Sequence, residues 1–207
     1  VHFQLHQDVV ALADAMGRVA AIVVAGGRAS RMGGLDKLAL PVAGTTLLDR
    51  ALASVDHVDA VVVVGPVRAT TSPVTWTRET PPGSGPVAAI AAGLRTLEGE
   101  PVDHAIKQPG EQEPTGVILV LAGDMPLVRG AFAGLLEALM TGPWDVALGV
   151  DELGVDQPLL AAWRTEALAG ALERLQTVNG ARVRDLLVDV RVNRVEVGMA
   201  ALDCDDE

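Results

Sequence analysis

Two apolar runs with no polar interruption, VVVV at 61–64 and VILVLA at 117–122, constrain this chain most. A strand with one wet face alternates apolar and polar residues; an unbroken run belongs in a parallel sheet covered on both faces. AAIVV at 20–24 reads as a third strand, and 74–78, 145–150, 158–163 and 190–197 as others. Between them lie helical stretches at 46–54, with Thr46 as N-cap, and at 86–97, where Pro86 suits the first helical position. Further helices are expected at 130–140, 165–176 and 182–187, and a short extended piece at 38–42. Strands alternating with helices predict an α/β fold: a doubly wound, mostly parallel sheet in three layers, helices on both faces. Such sheets bind ligands outside the carboxyl ends of their strands.

The residues just past the strand ends carry the chemistry. The first strand runs into Ala25-Gly26-Gly27, a turn of small residues that lets backbone N–H groups approach a ligand closely. Arg28, Arg31 and Lys37 come within a few residues of it. The spacing is neither the dinucleotide-binding nor the P-loop pattern. Only two of the 16 basic residues are lysines, so Lys37 in a glycine-rich loop is more than surface filler. A lysine there can reach phosphate oxygens and neutralise charge in phosphoryl transfer; otherwise it is a solvated loop cation. The run at 117–122 ends in Gly123-Asp124-Met125-Pro126. Asp124 is placed either to supply a hard oxygen to Mg²⁺ or to cap the next helix. Although far apart in sequence, the glycine turn and Asp124 both end buried strands and can share one cleft.

Composition excludes several classes. With 2% aromatic residues, no Tyr and a formal charge of −11, the chain is unsuited to nucleic acid, which needs stacking faces and cations. A small anion at a local cationic loop remains compatible with that field. One cysteine, Cys204, makes no internal disulfide, and no signal peptide or membrane-length run is present; a reducing, cytoplasmic setting fits. His2 and His6 lie on an N-terminal segment, 1–18, expected to be an arm or a leader helix. Residues 19–207 are expected to form a single domain, with 98–116 a charged surface insertion.

The stretch Val24-Ala25-Gly26-Gly27-Arg28-Ala29-Ser30-Arg31-Met32-Gly33-Gly34-Leu35-Asp36-Lys37 resembles the signature loop of the molybdenum cofactor guanylyltransferase (MobA-like) NTP transferases, and Asp124-Met125-Pro126 resembles their D-x-P motif. The resemblance implies a nucleotidyltransferase of Rossmann-like, nucleotide-diphospho-sugar transferase type. It would transfer GMP from GTP to the phosphate of molybdopterin, releasing pyrophosphate with Mg²⁺ as cofactor. It also implies catalytic roles for Lys37, Arg31 and Asp124. Nucleotide contacts would come from Val24, Ala25, Gly26, Gly27, Lys37, Glu79, Gly85 and Asp124, with Asp124 and Asp205 as metal ligands. Gln157, Arg182 and Arg184 would face the acceptor; helix-surface charge is the plain alternative for both arginines. Two departures stand out. Val64-Gly65-Pro66 replaces an Asn used by some members, and the tail Asp203-Cys204-Asp205 lacks the subsequent Thr-Pro-Glu. Competing expectations are a cytidylyltransferase on the same pterin, transfer to another phosphorylated acceptor, or a non-catalytic nucleotide-binding domain. A monomer or weak homo-oligomer is expected.

Overall fold

The unbroken runs form the centre of a seven-stranded sheet in the computed structural model, which describes residues 17–26, 31–32, 35–42, 44–99, 115–125, 128 and 130–197. Residues 1–16 of the expected 1–18 leader and 100–114 of the insertion lie outside the described residues, and Arg18 already belongs to the first strand. In chain order come β1 (Arg18–Val24), the short antiparallel pairs β2 (Arg31–Met32) with β3 (Leu35–Asp36) and β4 (Pro41–Val42) with β5 (Thr45–Thr46), and helix α1 (Leu47–Ala53). Then come β6 (Ala60–Val64), β7 (Thr75–Thr77), α2 (Pro86–Leu97), β8 (Thr115–Ala122) and α3 (Ala131–Met140). The last elements are β9 (Val146–Val150), β10 (Asp156–Arg164), α4 (Thr165–Glu173) and β11 (Val192–Glu196).

The sheet order is β11-β9-β10-β8-β1-β6-β7. Every pairing is parallel except those of β10, which runs against both β8 and β9. The mostly parallel expectation therefore holds, with one reversed strand that enters by a tight turn from β9. Residues on β1 and β8 divide between two cores. Ala21, Val23, Leu119 and Leu121 face a layer holding Leu48, Phe132 and Leu136; Ala20, Ile22, Ile118 and Val120 face one holding Val87, Ile90 and Leu168. That alternation, with both faces apolar, is why these strands carry no polar interruption. In the second layer α2 lies hard against β1: a Cβ at Gly93 would come within 2.7 Å of Ile22 Cγ2.

Thr46 caps α1 as expected, its hydroxyl accepting from the Asp49 N–H at 3.0 Å. Two local expectations are corrected. The extended piece at 38–42 begins as a 3₁₀ turn, Lys37–Ala39, because Leu38 turns inward to 3% exposure. The helix at 182–187 is likewise 3₁₀, Val183–Leu187, with only Leu186 fully buried to hold it.

Candidate functional site

Parallel strand ends meet at the carboxyl edge, and backbone hydrogen bonds carry the ladder one residue past each. The Ala25 N–H donates to Val64 C=O, Gly65 N–H to Thr77 C=O and Gly123 N–H to Val24 C=O, each at 2.9 Å. The turn after β1 is thus tied to β6 and β8 before any side chain contributes. Gly65 permits the arrangement, since a Cβ there would lie 2.6 Å from the Ala25 carbonyl oxygen. At Gly65, therefore, the two strand ends touch through backbone.

Lys37 reaches the edge by way of its neighbour. Leu38 packs against Gly123, where a Cβ would sit 3.3 Å from Leu38 Cδ1, and so seats Lys37 beside the end of β8. The Lys37 side chain is 5% exposed, and its Nζ lies 3.9 Å from Oδ2 of Asp124, whose side chain keeps 21% exposure. A buried ammonium requires nearby negative charge, and at that separation the pair is ionic rather than directly hydrogen-bonded. Asp124 is one hard-oxygen donor at a half-open position. Among the described residues no group of three or more His, Cys, Asp or Glu forms a metal cluster. A single carboxylate is compatible with magnesium, which completes its shell with water and phosphate oxygens.

Glu79 stands beyond β7, 5% exposed. Its Oε1 accepts from the Gly83 N–H at 2.8 Å and lies 3.7 Å from where a Gly26 Cβ would be. Its Oε2 is buried with no hydrogen-bond partner among the described residues. An orphaned buried acceptor is costly and marks a place where a ligand can supply the donor. The loop that carries it turns through Gly83 and Gly85, at φ 84° and 96°, a backbone region that favours glycine. Gly85 then starts α2. The same loop is held from outside: the Gly180 N–H donates to the Ser84 carbonyl at 2.8 Å.

The structure thus brings Val24, Ala25, Gly26, Lys37, Glu79 and Asp124 to one edge, with Gly85 at its rim. Arg31 pairs through its backbone with Asp36, the residue before Lys37. Gly27, Arg28, Pro126 and Asp205 lie outside the described residues. On the far side of β8, the register of Leu160 with Leu121 directs the start of β10, and with it Gln157, toward the same edge. The Gln157 amide donates to Asp151 at 3.0 Å. Arg182, just before the 3₁₀ turn, and Arg184, on it, are exposed, and their link to the loop at 80–85 is the neighbouring Gly180.

Sequence reasoning missed Arg68. Its guanidinium grips Asp36 with Nε at 2.6 Å and Nη2 at 3.1 Å, while Nη1 donates to the carbonyls of Ala25 and Pro66 at 3.0 Å each. A lone arginine in a loop gives no periodic or motif signal, and its partner lies 32 positions away.

A small-residue turn at a parallel strand end, a buried lysine and a facing carboxylate meet at the carboxyl edge of this sheet. The chain belongs to the family of MobA-like NTP transferase domains, whose model matches residues 21–192. It is 31% identical over 180 residues to a probable molybdenum cofactor guanylyltransferase of Natronomonas pharaonis, covering 81% of this chain and 79% of that one. Among solved structures it resembles molybdopterin-guanine dinucleotide biosynthesis protein A from Archaeoglobus fulgidus, at TM-score 0.60 and 22% identity, covering 86% and 83% of the two chains. It also shares its fold with 2-C-methyl-D-erythritol 4-phosphate cytidylyltransferase from Francisella tularensis, at TM-score 0.64 and 12% identity, covering 91% and 94%. No helix among the described residues is long and apolar enough to cross a membrane.

Proposed function

We propose that this protein transfers GMP from GTP to the terminal phosphate of molybdopterin and releases pyrophosphate. The observation that carries the reading is the Lys37–Asp124 pair, 3.9 Å apart beside the glycine turn at the end of β1. An acceptor phosphate oxygen forms the new bond to the α-phosphorus as the bond to the pyrophosphate oxygen breaks. The acceptor phosphate is already deprotonated, so no general base is needed, and the leaving pyrophosphate departs as an anion. Catalysis is positioning and charge neutralisation. In this reading the turn at Ala25, Gly26 and Gly27 cradles the phosphates, and Lys37 and Arg31 neutralise charge on their oxygens. Asp124 would hold Mg²⁺, with Asp205 as its second ligand. When bound, that ion would supply electrostatic stabilisation of the phosphate oxygens.

The buried Glu79 Oε2 supports guanine as the base. An ionised carboxylate only accepts hydrogen bonds. Guanine offers it two adjacent donors, N1–H and the exocyclic amine, whereas cytosine offers its amine alone. Gln157, Arg182 and Arg184 are assigned to the acceptor side. The assignment carries with it a single domain over 19–207, a cytoplasmic setting, no nucleic-acid or membrane partner, and a monomer or weak homo-oligomer.

The test is to incubate the protein with Mg²⁺ and each NTP in turn, with and without molybdopterin, and to assay pyrophosphate. Release that requires both GTP and the pterin is the expected result. Preference for CTP would reassign the base, and release only with other phosphorylated acceptors would reassign the acceptor. Tight nucleotide binding with no release under any condition would leave a non-catalytic binding domain.

A further inference from the structure

Arg68 touches neither face of the proposed reaction, yet its side chain is 9% exposed and makes four hydrogen bonds. Burying so long a cation costs desolvation and rotamer entropy, which a surface ion pair does not recover. Its partners explain where the compensation lies. They belong to three separate segments: Ala25 at the end of β1, Pro66 after β6, and Asp36 immediately before Lys37. We propose that Arg68 is a positioning residue for the triphosphate, locking the turn after β1 and Lys37 into one register with Asp36 as its anchor. The proposal rests on the reading of that turn and Lys37 as a phosphate cradle.

Two physical consequences give Arg68 this role. A trans peptide is planar, and its N–H points opposite to its C=O. Ala25 C=O and Gly26 N–H share one peptide, so a guanidinium that holds the carbonyl also aims the Gly26 N–H away from itself. Close packing of Gly65 on the same carbonyl keeps the plane from rotating. The second consequence is electrostatic. Asp36 places a carboxylate next to Lys37, where it would oppose a polyanion; the bidentate guanidinium neutralises it and draws it to the side. Lysine cannot substitute, because a point charge with rotating donors does not match a bidentate carboxylate contact made together with two carbonyl contacts.

The test measures GTP affinity by calorimetry with Mg²⁺ for Arg68→Gln, Arg68→Lys, Asp36→Asn and the double variant Arg68→Gln with Asp36→Asn. Pyrophosphate kinetics are then measured, with the KM of each substrate. Arg68→Gln and Asp36→Asn should each weaken GTP binding about tenfold, and the double variant should be no worse than about twofold beyond either, since one latch is lost once. Arg68→Lys should not restore affinity, and the KM of the acceptor should stay at its wild-type value. Wild-type GTP affinity in Arg68→Lys and Asp36→Asn overturns the proposal, even where Arg68→Gln fails to fold. So does a double variant whose loss is the product of the two single losses. Absence of pyrophosphate release by the wild type would instead overturn the proposed transfer reaction, and the GTP affinities would still decide the latch.

Discussion

On one side of the sheet, β1, β6, β7 and β8 run parallel and pass backbone hydrogen bonds from each strand end to the next. On the other, β10 runs against its neighbours, its pairing with β9 slips between Gln157 and Ala161, and side chains close the edge. There Asp151 accepts from the N–H groups of Val155 and Leu153 and from the Gln157 amide, at 2.8, 2.9 and 3.0 Å. The Val155 N–H is the foremost cause that holds its carboxyl below the usual range, against the opposing effect of desolvation. Asp156 and Arg194 form an exposed bidentate pair between β10 and β11, at 2.8 and 2.9 Å. The contrast teaches how the two halves can vary. Backbone hydrogen bonds fix the strand ends of the proposed nucleotide half before any side chain contributes. Exposed pairs, each worth little, shape the half proposed to take the acceptor, which can be remodelled one residue at a time.

The sharpest way to break that contrast lies on the nucleotide half. Asp124→Asn keeps the shape of the side chain beside Lys37 and should lower pyrophosphate release by about a hundredfold or more, the scale of losing one electrostatic stabiliser at a reacting phosphate. Near wild-type release from a folded variant would remove Asp124 from the chemistry. Lys37→Ala should come next, costing on the order of 2 kcal/mol of GTP affinity, in the range for hydrogen bonds to charged groups. Titration calorimetry should show a much smaller loss for Arg28→Ala. Equal losses would mean that the loop acts as a diffuse cationic patch.

On the acceptor half the effects should shrink. Changing Arg182 and Arg184 together to Ala should raise the acceptor KM a few-fold at low salt, where screening is weakest, and leave GTP affinity alone. Unchanged KM there would make these arginines ordinary surface charge. Smallest of all is Asp145→Asn. The Arg191 guanidinium beside Asp145, bonded at 2.6 and 3.0 Å, is the main cause holding its carboxyl below the ordinary value of 3.8. The folded-state value is the lower one, so the pair contributes stability above the unfolded pKa and loses it as pH falls through the folded pKa. Chemical denaturation should find the variant slightly less stable than wild type at neutral pH, with the gap closing below pH 3.8. A gap that persists in acid would assign the effect to packing.

The parts of this architecture legible in the sequence are those whose physics is local. Burial on both faces erases alternation, so the core of β8 reads directly from VILVLA at 117–122. Pro86 and its preceding glycine mark the start of α2, and Thr46 marks that of α1. Asp124 could be singled out because it stands just past a buried strand, and Glu79 only through the family resemblance of the loop it precedes. Strand direction is not local: nothing in residues 158–163 states that β10 is reversed, although its close spacing after β9 is compatible with a hairpin. Nor could the sequence pair Arg68 with Asp36, or give the reason for Gly65, because both depend on where the Ala25 carbonyl lies. The 3₁₀ turn at Lys37–Ala39 escaped for the same reason, since burial of Leu38 against the end of β8 selects it.

Gly93 bears on how such a site can move. A glycine within a helix sacrifices about 1 kcal/mol of helix propensity relative to alanine. Here it lets α2 rest directly on the branches of Ile22, with no side chain between them to cushion a slide. A helix seated that way cannot shear along the sheet without colliding with β1, and closely packed interfaces switch between discrete seats rather than glide. The helix that starts where the 80–85 loop ends is thereby a stationary post against β1.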